Sequence, residues 1–234
     1  MTEQTPPTAT TDGTLVTPAA PAAAELVFGE RTSVAEQFAA ILADTGVSHG
    51  LIGPREVPIL WERHLLNCAV AQEAFPADAE VVDVGSGAGL PGLALAIARP
   101  DLHLHLVEPM LRRTTWLTDT IAALALTNCT VHRGRAEEFH GVLSLRWATA
   151  RAVARIDKLA RWTFPLLPDG GTLVALKGSS AQQELDAATK TLRQLGMVGA
   201  SVTTYGQDLL EVPTVTLQLA VRSQPTAKAG RRRR

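Results

Sequence analysis

A glycine-rich turn is the part of the sequence whose residue types most clearly suggest chemistry. Residues 81–92 read VVDVGSGAGLPG, so a run typical of a buried strand is followed by four glycines in eight positions. Such a turn brings backbone N–H groups and the N-terminus of the next helix toward a ligand. Gly87, Gly89 and Gly92 fit the spacing of a dinucleotide-binding loop, and Glu108 follows where an acid would bind a ribose hydroxyl.

The same residues fit a second cofactor when the pattern is read from Asp83. Asp83, Gly85, Gly87 and Gly89 then occupy alternate positions, as in enzymes that use S-adenosylmethionine (SAM) and have no pyrophosphate to bind. A turn that binds nothing is disfavoured, because each glycine costs conformational entropy on folding. The turn alone leaves both cofactors open, and the elements that position it must decide between them.

Length and composition indicate one α/β domain with extensions. The chain has 234 residues, 46% of them hydrophobic, and a net charge of −1. The charge is unevenly distributed, since residues 1–80 contain three basic and eleven acidic residues, whereas residues 81–234 contain nineteen and twelve. A polyanionic partner is therefore expected to contact the second part of the chain.

The cysteines and the apolar segments predict a cytoplasmic protein. Cys68 and Cys129 lie far apart in apolar segments, which predicts free thiols in a reducing compartment and offers no zinc-site spacing. The N-terminus lacks the pattern of a signal peptide, and the longest apolar run, Leu93 to Ala98, is too short to span a bilayer. We therefore expect neither a metal site nor membrane association.

Composition and periodicity divide the chain into four segments. Residues 1–24 are rich in Thr, Pro and Ala and are predicted to be a disordered tail, as are residues 223–234, which end in four arginines. Residues 25–78 show helical spacing of apolar residues, which predicts a small helical extension. Residues 79–222 alternate between β-rich runs and helical segments, and this pattern predicts the cofactor-binding domain.

Seven β-rich runs separated by helical segments predict a mainly parallel sheet. They are Glu80–Val84, Leu102–Val107, Cys129–His132, Trp147–Ala150, Gly171–Leu176, Ala200–Tyr205 and Thr214–Val221. Only residues 206–213 separate the last two runs, so these should pair as an antiparallel hairpin. A reversed last strand is typical of SAM-dependent enzymes and not of the all-parallel dinucleotide sheet.

Ligands of such a sheet bind beyond the carboxyl ends of the strands, so residues just after each strand are candidate site residues. Glu108 is placed to accept ribose hydroxyls, and Ala136 with Glu137 would lie beside an adenine amino group. Basic residues follow the same strand ends, which predicts an anionic substrate larger than a metabolite, such as RNA. These are Arg112, Arg113, Arg133, Arg135, Arg151, Arg155 and Lys177.

Several other chemistries lack their motifs in this sequence. It has no phosphate-binding G-x-x-x-x-G-K-[ST] loop and no D/N-P-P-Y/F signature of amino methylases. Neither cysteine follows a proline in the loop where pyrimidine C5 methylases carry their nucleophile, and no Ser, His and Asp arrangement indicates a hydrolase. His103 and His105 alternate with leucines on one strand and are interpreted as lining a sheet face, not as metal ligands.

Six stretches of the sequence occur in the order and at about the spacing found in one known family. They are WERHLLNCAV, VVDVGSGAGLPGLALAIARPDL, EPMLRRTTWL, GRAEEF, ARAVARIDKLARW and PDGGTLVALKG. Over residues 30–221 the chain resembles the RsmG or GidB family, which methylates N7 of a guanine in 16S ribosomal RNA. The resemblance implies a class I SAM-dependent methyltransferase, with a Rossmann-like seven-stranded sheet, an antiparallel last strand and a helical N-terminal extension.

The resemblance also implies particular site residues. The family's SAM contacts match Gly85, Leu90, Ala136, Glu137 and Arg151, while Asp83, Gly87 and Glu108 complete the predicted cofactor site. Strand-end position makes Arg112, Arg113, Arg155 and Lys177 the candidates for RNA phosphate contacts. The sequence departs from the family at Ala150, where Ser is frequent, and at Asn67, where Asp is frequent, and neither position is a matched cofactor contact.

The chemistry of guanine N7 agrees with the lack of an evident base. N7 presents a lone pair without a proton, so alignment with the methyl donor supplies most of the acceleration and no catalytic residue is assigned. Because the major groove of A-form RNA hides N7, the target should be an unpaired nucleotide of 16S rRNA or of the 30S subunit. A monomer is expected. A small-molecule SAM-dependent methyltransferase and an NAD(P)-dependent oxidoreductase remain as alternatives.

Overall fold

The computed structural model describes residues 16–222 and is built around a seven-stranded mixed sheet. The strands are β1 (Glu80–Val84), β2 (His103–Glu108), β3 (Cys129–Arg133), β4 (Trp147–Arg151), β5 (Thr172–Lys177), β6 (Met197–Tyr205) and β7 (Thr214–Val221). All seven coincide with the predicted runs. The largest difference is at the start of β6, at Met197 instead of Ala200, where a register shift between Met197 and Gly199 interrupts the pairing.

The order of the strands places the glycine turn at the centre of the sheet. The order is β3-β2-β1-β4-β5-β7-β6, and β1 to β5 are parallel. From β1 the chain adds strands on one side of the sheet, and from β4 it adds them on the other side. A crevice forms at such a switch point, beyond the carboxyl ends of the strands. The turn after β1 and the loop after β4 therefore lie side by side at one edge.

Strand β7 runs antiparallel to both of its neighbours, β5 and β6. The connection at residues 206–213 is too short for the crossover that a parallel pair requires, so the chain returns as a hairpin. The predicted antiparallel last strand is confirmed, and with it the class of fold. In the structure β7 inserts between β5 and β6, which leaves β6 at the edge of the sheet.

Helices cover both faces of the sheet. The helices are α1 (Ala22–Phe28), α2 (Thr32–Ile41), α3 (Asn67–Ala69), α4 (Gly92–Ala98), α5 (Leu111–Ala123), α6 (Ile156–Thr163) and α7 (Ala181–Gln194). The short α3 belongs to a longer helical run over residues 54–74, which begins with 3₁₀ and π turns. One apolar core joins α4, α5 and the extension to the sheet, and a second core joins α6 and α7 to the other face.

Helix α4 shows why the helical extension is needed. Its sequence, GLALAIA, is apolar throughout, and its residues from Gly92 to Ile97 are all buried. A helix that lay on a sheet with one side in solvent would carry a polar stripe. The extension packs over α4 and removes that outer side from water, so the two segments form one core.

The extension starts earlier than predicted. The indole Nε1 of Trp61 donates a hydrogen bond to the carbonyl oxygen of Pro18 at 2.9 Å, and Ala24 is fully buried. The predicted tail boundary at residue 24 is therefore too late, because apolar residues of α1 already pack against the extension. Residues 1–15 of that predicted tail, and the predicted C-terminal tail at residues 223–234, lie outside the described residues.

No helix within residues 16–222 combines the length and apolar character needed to cross a membrane.

Candidate functional site

A cleft of about 980 Å³ opens beyond the carboxyl ends of β1, β2 and β4. Its walls come from four places: the end of β1, the β2–α5 loop, the turn after β3 and the β4–α6 loop with α6. Its lining includes Gly85, Glu108, Met110, Arg113, Arg133, Arg135, Ala136, Glu137, Arg151, Val153 and Trp162. The structure thus brings together five of the eight predicted cofactor residues, Gly85, Glu108, Ala136, Glu137 and Arg151.

Most backbone N–H groups of the glycine turn donate hydrogen bonds to acceptors within the protein. Gly85 and Ser86 donate to the carbonyl oxygen of Val107 at 2.9 and 3.2 Å. Gly89 and Leu90 donate to the carbonyl oxygen of Ser86, at 2.7 and 3.2 Å. A pyrophosphate would need free N–H groups at this turn. The dinucleotide interpretation therefore loses its main physical support.

Gly85 and Gly92 are each required by a close approach. Gly85 has φ +78°, and a Cβ built on it would lie 2.9 Å from a methyl carbon of Val153 in the β4–α6 loop. A Cβ on Gly92 would lie 2.4 Å from a side-chain carbon of Leu106 and 2.6 Å from the Asp83 carboxylate. The third glycine of the literal dinucleotide pattern thus serves the packing around Asp83.

Asp83 lies fully buried beneath the glycine turn. Its Oδ2 accepts the N–H of Gly92 at 3.1 Å, while its Oδ1 has no hydrogen-bond partner among the described residues. Burial raises the pKa of this carboxyl to about 7. Asp83 does not line the cleft, so its part in cofactor binding stays a prediction.

Glu108 is held rigidly at the end of β2. Its Oε2 accepts the N–H of Gly87 at 3.1 Å, and its Oε1 accepts the N–H of Met110 at 3.0 Å. Arg113 lies 3.7 Å from Oε2. Only 2% of the residue is exposed, yet each carboxylate oxygen keeps a second lone pair. The carboxylate is therefore fixed and can still accept hydroxyl groups from a ligand, as predicted for a ribose. Gly87 does not line the cleft, and it contributes to the site only through the hydrogen bond from its N–H to Glu108.

A 3₁₀ turn at Ala136–Phe139 forms the wall beside β3. Its first residue, Ala136, is buried, whereas Glu137 is exposed on the cleft side, where the adenine contact was predicted. Trp162 lines the same cleft from α6, and the Lys158 ammonium lies 5.0 Å from the centroid of its ring. Trp162 could not be predicted from the sequence, because its position depends on how α6 packs against this turn.

Arg151 connects the cleft to the helical extension. It ends β4, and its Nη2 donates to the carbonyl oxygen of Arg63 at 2.9 Å and lies 2.8 Å from Nδ1 of His64. Its Nη1 lies 3.0 Å from Sγ of Cys68, where burial raises the pKa of the thiol and keeps it protonated. The sequence placed Arg151 at the cleft but did not predict these partners. A polar group on an otherwise buried helical face, in WERHLLNC, is the signal that could have found them.

The predicted RNA contacts fall into two groups. Arg112 and Arg155 are exposed beside the cleft without lining it, and Arg113 lines it with its Nε buried and without a partner among residues 16–222. Lys177 is different, because its ammonium donates to Ala154 O at 3.0 Å and to Glu184 Oε1 at 2.9 Å. With its side chain only 13% exposed, it braces the β4–α6 loop, and the geometry does not support a phosphate contact there.

Leu90 is also placed differently from the prediction. It is partly buried and packs against the core shared by α4 and the extension, and it does not line the cleft. Its part in cofactor binding stays a prediction. A leucine at the start of a buried helix is satisfied by apolar contacts alone, so the structure gives it a packing role.

The histidines of β2 lie on a sheet face, as interpreted from the sequence. Nδ1 of His105 lies 3.0 Å from Nε2 of His132, and Nε2 of His103 lies 2.9 Å from Oγ1 of Thr130. Within the part of the chain that the structure describes, no cluster of His, Cys, Asp or Glu has a geometry that could hold a metal ion.

SAM fits these groups better than a dinucleotide does. SAM carries an ammonium group and a sulfonium, and the acids that could face these cations are Glu108 and Glu137, which line the cleft. It also carries a ribose, for which Glu108 is held at the end of β2. It has no pyrophosphate, which agrees with the internal use of the turn's N–H groups.

Comparison with known proteins gives one family for the chain. Residues 31–212 match the model of the GidB family, described as rRNA small subunit methyltransferase G. A "Ribosomal RNA small subunit methyltransferase G" of Arthrobacter sp. (strain FB24) is 52% identical over 85% of this chain and 92% of its own length. A protein of the same name from Streptomyces avermitilis is 47% identical over 93% of this chain and 96% of its own length.

Solved structures of low sequence identity share the fold. The S-adenosylmethionine-dependent methyltransferase SibL in its apo form aligns with a TM-score of 0.53 at 16% identity, over 81% of this chain and 59% of that chain. A predicted O-methyltransferase, Atu636 from Agrobacterium tumefaciens, aligns with a TM-score of 0.50 at 15% identity, over 68% and 81%. These two likenesses concern the architecture of the sheet.

Proposed function

The chain belongs to the GidB family of rRNA small subunit methyltransferase G, and from this premise we propose that it transfers a methyl group from SAM to N7 of a guanine in 16S ribosomal RNA. The observation that carries the proposal is the composition of the cleft. Its lining joins Gly85 at the start of the glycine turn, the fixed carboxylate of Glu108 and several arginines. This combination suits a cationic nucleoside cofactor next to a polyanionic substrate.

The residues around the glycine turn are proposed to bind the cofactor. SAM supplies an activated methyl group on its sulfonium. Asp83 would face the cationic part of the cofactor, directly or through a water, and Glu108 would accept its ribose hydroxyls. Gly85 and Gly87 give the turn its shape, and Ala136 with Glu137 would border the adenine, as the family pattern implies. The backbone and carboxylate contacts already present mean that little reorganisation is needed on binding.

The methyl transfer itself requires orientation and not proton removal. The N7 lone pair of guanine would form the new bond to the methyl carbon. The carbon–sulfur bond would break and leave its electron pair on sulfur, so no proton changes place. The guanine ring gains positive charge as the bond forms. Residues of the chain act by holding the ring in line and by excluding water, which can account for several powers of ten in rate. Arg151 lines the cleft and would lie between the cofactor and the target guanine.

The arginines around the cleft, which form a basic rim, are proposed to bind the RNA substrate. Arg112, Arg113 and Arg155 are proposed to contact phosphates near the target nucleotide. Arg133 and Arg135 line the cleft and extend this rim. The target should be an unpaired or splayed nucleotide, because N7 is out of reach in an A-form duplex. Action as a monomer in the cytoplasm stays a prediction.

The decisive experiment maps N7-methylguanine in 16S rRNA from cells with and without the gene. We expect one modified guanine to disappear with the gene and to return with the intact chain. The purified protein should also transfer label from SAM to 16S rRNA or to 30S subunits, and not to small acceptors. An unchanged map would refute the proposed substrate. Tight NADH binding without SAM binding would instead favour an oxidoreductase.

A further inference from the structure

A chain of polar contacts runs from the helical extension to the cleft through one buried histidine. The members are Glu56 on the 3₁₀ turn Pro54–Ile59, His64 on the next helical turn, and Arg151 at the end of β4. Nε2 of His64 lies 2.7 Å from Oε2 of Glu56, and its Nδ1 lies 2.8 Å from Nη2 of Arg151. Only 8% of His64 is exposed.

The two partners of His64 determine its protonation state. A guanidinium has only donors, so Nδ1 must accept the Arg151 hydrogen and cannot carry a proton. A carboxylate has only acceptors, so Nε2 must carry the proton and donate it to Glu56. The network is therefore complete with a neutral imidazole in the Nε2–H tautomer. Protonation of Nδ1 would set an N–H against a guanidinium N–H at 2.8 Å, and the contact would break.

The surroundings of His64 favour the neutral ring. Its pKa is lowered first by burial and then by the positive charge of Arg151, with a smaller opposing effect of Glu56. Arg63 lies 3.5 Å from Oε2 of Glu56 and adds positive charge on the same side. Cys68, from α3, is a neutral thiol, so no further charge from that helix compensates a protonated His64.

The position of Arg151 makes this network relevant to the cleft. Arg151 lines the cleft, but the hydrogen bonds of its side chain within residues 16–222 run to the extension, at Arg63, His64 and Cys68. An arginine side chain loses rotamer freedom when it is held in one place. The network holds the guanidinium before a ligand arrives, so binding need not order it.

We propose that His64, oriented by Glu56, is a positioning residue that holds Arg151 in the cleft for SAM binding and methyl transfer, and that protonation of His64 releases Arg151. The inference rests on the proposed function for the identity of the ligand. It gives the helical extension a second purpose besides covering α4, because its residues set the direction of a cleft side chain.

The test compares SAM binding by the full chain for two variants, His64→Asn and His64→Leu, from pH 8 down to the pH at which NMR shows His64 protonated. The Asn side chain places an oxygen acceptor near the position of Nδ1 and does not titrate, whereas Leu offers no acceptor. We expect His64→Leu to weaken SAM binding about tenfold at pH 8, the usual size of one lost hydrogen bond to a charged group. His64→Asn should bind within about threefold of the original chain at pH 8.

On acidification to a pH at which His64 takes up a proton, the original chain should fall below His64→Asn in affinity. The original chain should lose more affinity on acidification than His64→Asn does, because only the original chain can protonate position 64. Asp83 titrates in all the proteins and cancels in the comparison. His49→Asn is the matched control, because His49 is an exposed histidine of the same extension, and it should follow the original chain at every pH.

A direct readout comes from NMR of histidine-labelled protein. His64, assigned by the signal missing from His64→Asn, should show the Nε2–H tautomer. The opposite tautomer, or equal loss of affinity in the original chain and His64→Asn over the pH range in which His64 becomes protonated, would overturn the proposal. These outcomes are separate from the proposed function, since a chain that binds SAM as expected but methylates no rRNA would refute only the substrate assignment.

Discussion

Nζ of Lys177 donates hydrogen bonds to Glu184 Oε1 at 2.9 Å and to Ala154 O at 3.0 Å. The same Glu184 oxygen accepts the N–H of Ile156 at 2.6 Å. The β4–α6 loop, which carries Val153 to the cleft, is therefore braced from β5 and from α7. We expect Glu184→Ala to lower the free energy of unfolding by about 2 kcal/mol, because the Lys177 ammonium and the Ile156 N–H lose their partner in a mostly buried place.

Chemical denaturation measures this change, and the same helix supplies a control. Asp186 is an exposed acid on α7, and Asp186→Ala should stay within about 0.5 kcal/mol of the original chain. In Glu184→Gln the remaining amide oxygen can still accept the Ile156 N–H, so its loss should be smaller than that of Glu184→Ala. Equal stability of the Glu184→Ala and Asp186→Ala variants would mean that the brace contributes nothing.

Gly85→Ala should weaken both the fold and SAM binding. The residue has φ +78°, and the added methyl group would lie 2.9 Å from Val153. Backbone strain and overlap together should cost about 2–3 kcal/mol in thermal or chemical unfolding. Gly87→Ala is the comparison, since Gly87 has φ +52° and nothing closer than 3.7 Å to a new Cβ, so strain alone of about 1 kcal/mol is expected.

A second substitution separates the two causes. Val153→Ala in the Gly85→Ala background removes the methyl groups that would overlap and should restore part of the stability, whereas the strain at positive φ remains. If the double variant were no more stable than Gly85→Ala, contact with Val153 would not explain the requirement for glycine.

Asp83→Asn should weaken SAM binding and stabilise the fold at pH 8. Burial raises the pKa of Asp83 to about 7, whereas the carboxyl of an unfolded chain titrates near 3.9. Between these values the folded state keeps a proton that the unfolded state releases, so this group lowers stability as the pH rises from about 4 to about 7. Asn keeps an acceptor for the N–H of Gly92 and does not titrate.

Relative to the original chain, the variant should therefore gain roughly 4 kcal/mol of stability between pH 4 and pH 8, because the pKa of Asp83 is about 7 in the folded chain and about 3.9 in the unfolded chain. Calorimetric titration should show at least about tenfold weaker SAM binding at pH 8, because a charge-assisted contact is lost. Asp119→Asn, an exposed position on α5, should show neither effect. Unchanged SAM affinity in Asp83→Asn would remove Asp83 from the cofactor site.

Arg112 and Arg155 should contribute to RNA binding through charge alone. Each is exposed beside the cleft, and Arg155 is only loosely paired with Asp157 at 3.8 Å. Replacement by Gln should lower the slope of log affinity for 16S rRNA against log salt concentration by about 0.7–0.9 per lost phosphate contact. SAM affinity should stay the same. Arg193→Gln, on α7 outside the cleft lining, is the control, and an equal change of slope there would indicate a nonspecific charge effect.

Much of the cofactor site could be predicted from sequence because its signals are local. The run at Glu80–Val84 and the glycines after it specify a strand and a tight turn through their own side chains. Chain order then places Gly85 and Glu108 at one edge, since parallel strands bring their carboxyl ends together. The cleft lining at Gly85, Glu108, Ala136 and Arg151 follows from these rules and needs no knowledge of long-range contacts.

Other residues could not be placed in this way. Lys177 ends a strand like the other rim residues, but the neighbouring helix α7 brings Glu184 to its ammonium. Leu90 belongs to the glycine turn in sequence and to the extension's core in space. Arg151 was predicted at the cleft, whereas its partners at Arg63 and His64 come from a segment far earlier in the chain.

The seven strands, the reversed last strand and the glycine turn could be predicted from sequence, because periodicity, turn residues and connection lengths act over a few neighbouring residues, and the motifs indicated the family. Which charges face the cleft and which are paired within the protein became visible in the folded chain. That choice depends on distances between side chains remote in sequence, such as His64 and Arg151 at 2.8 Å, which packing of the extension against the sheet sets.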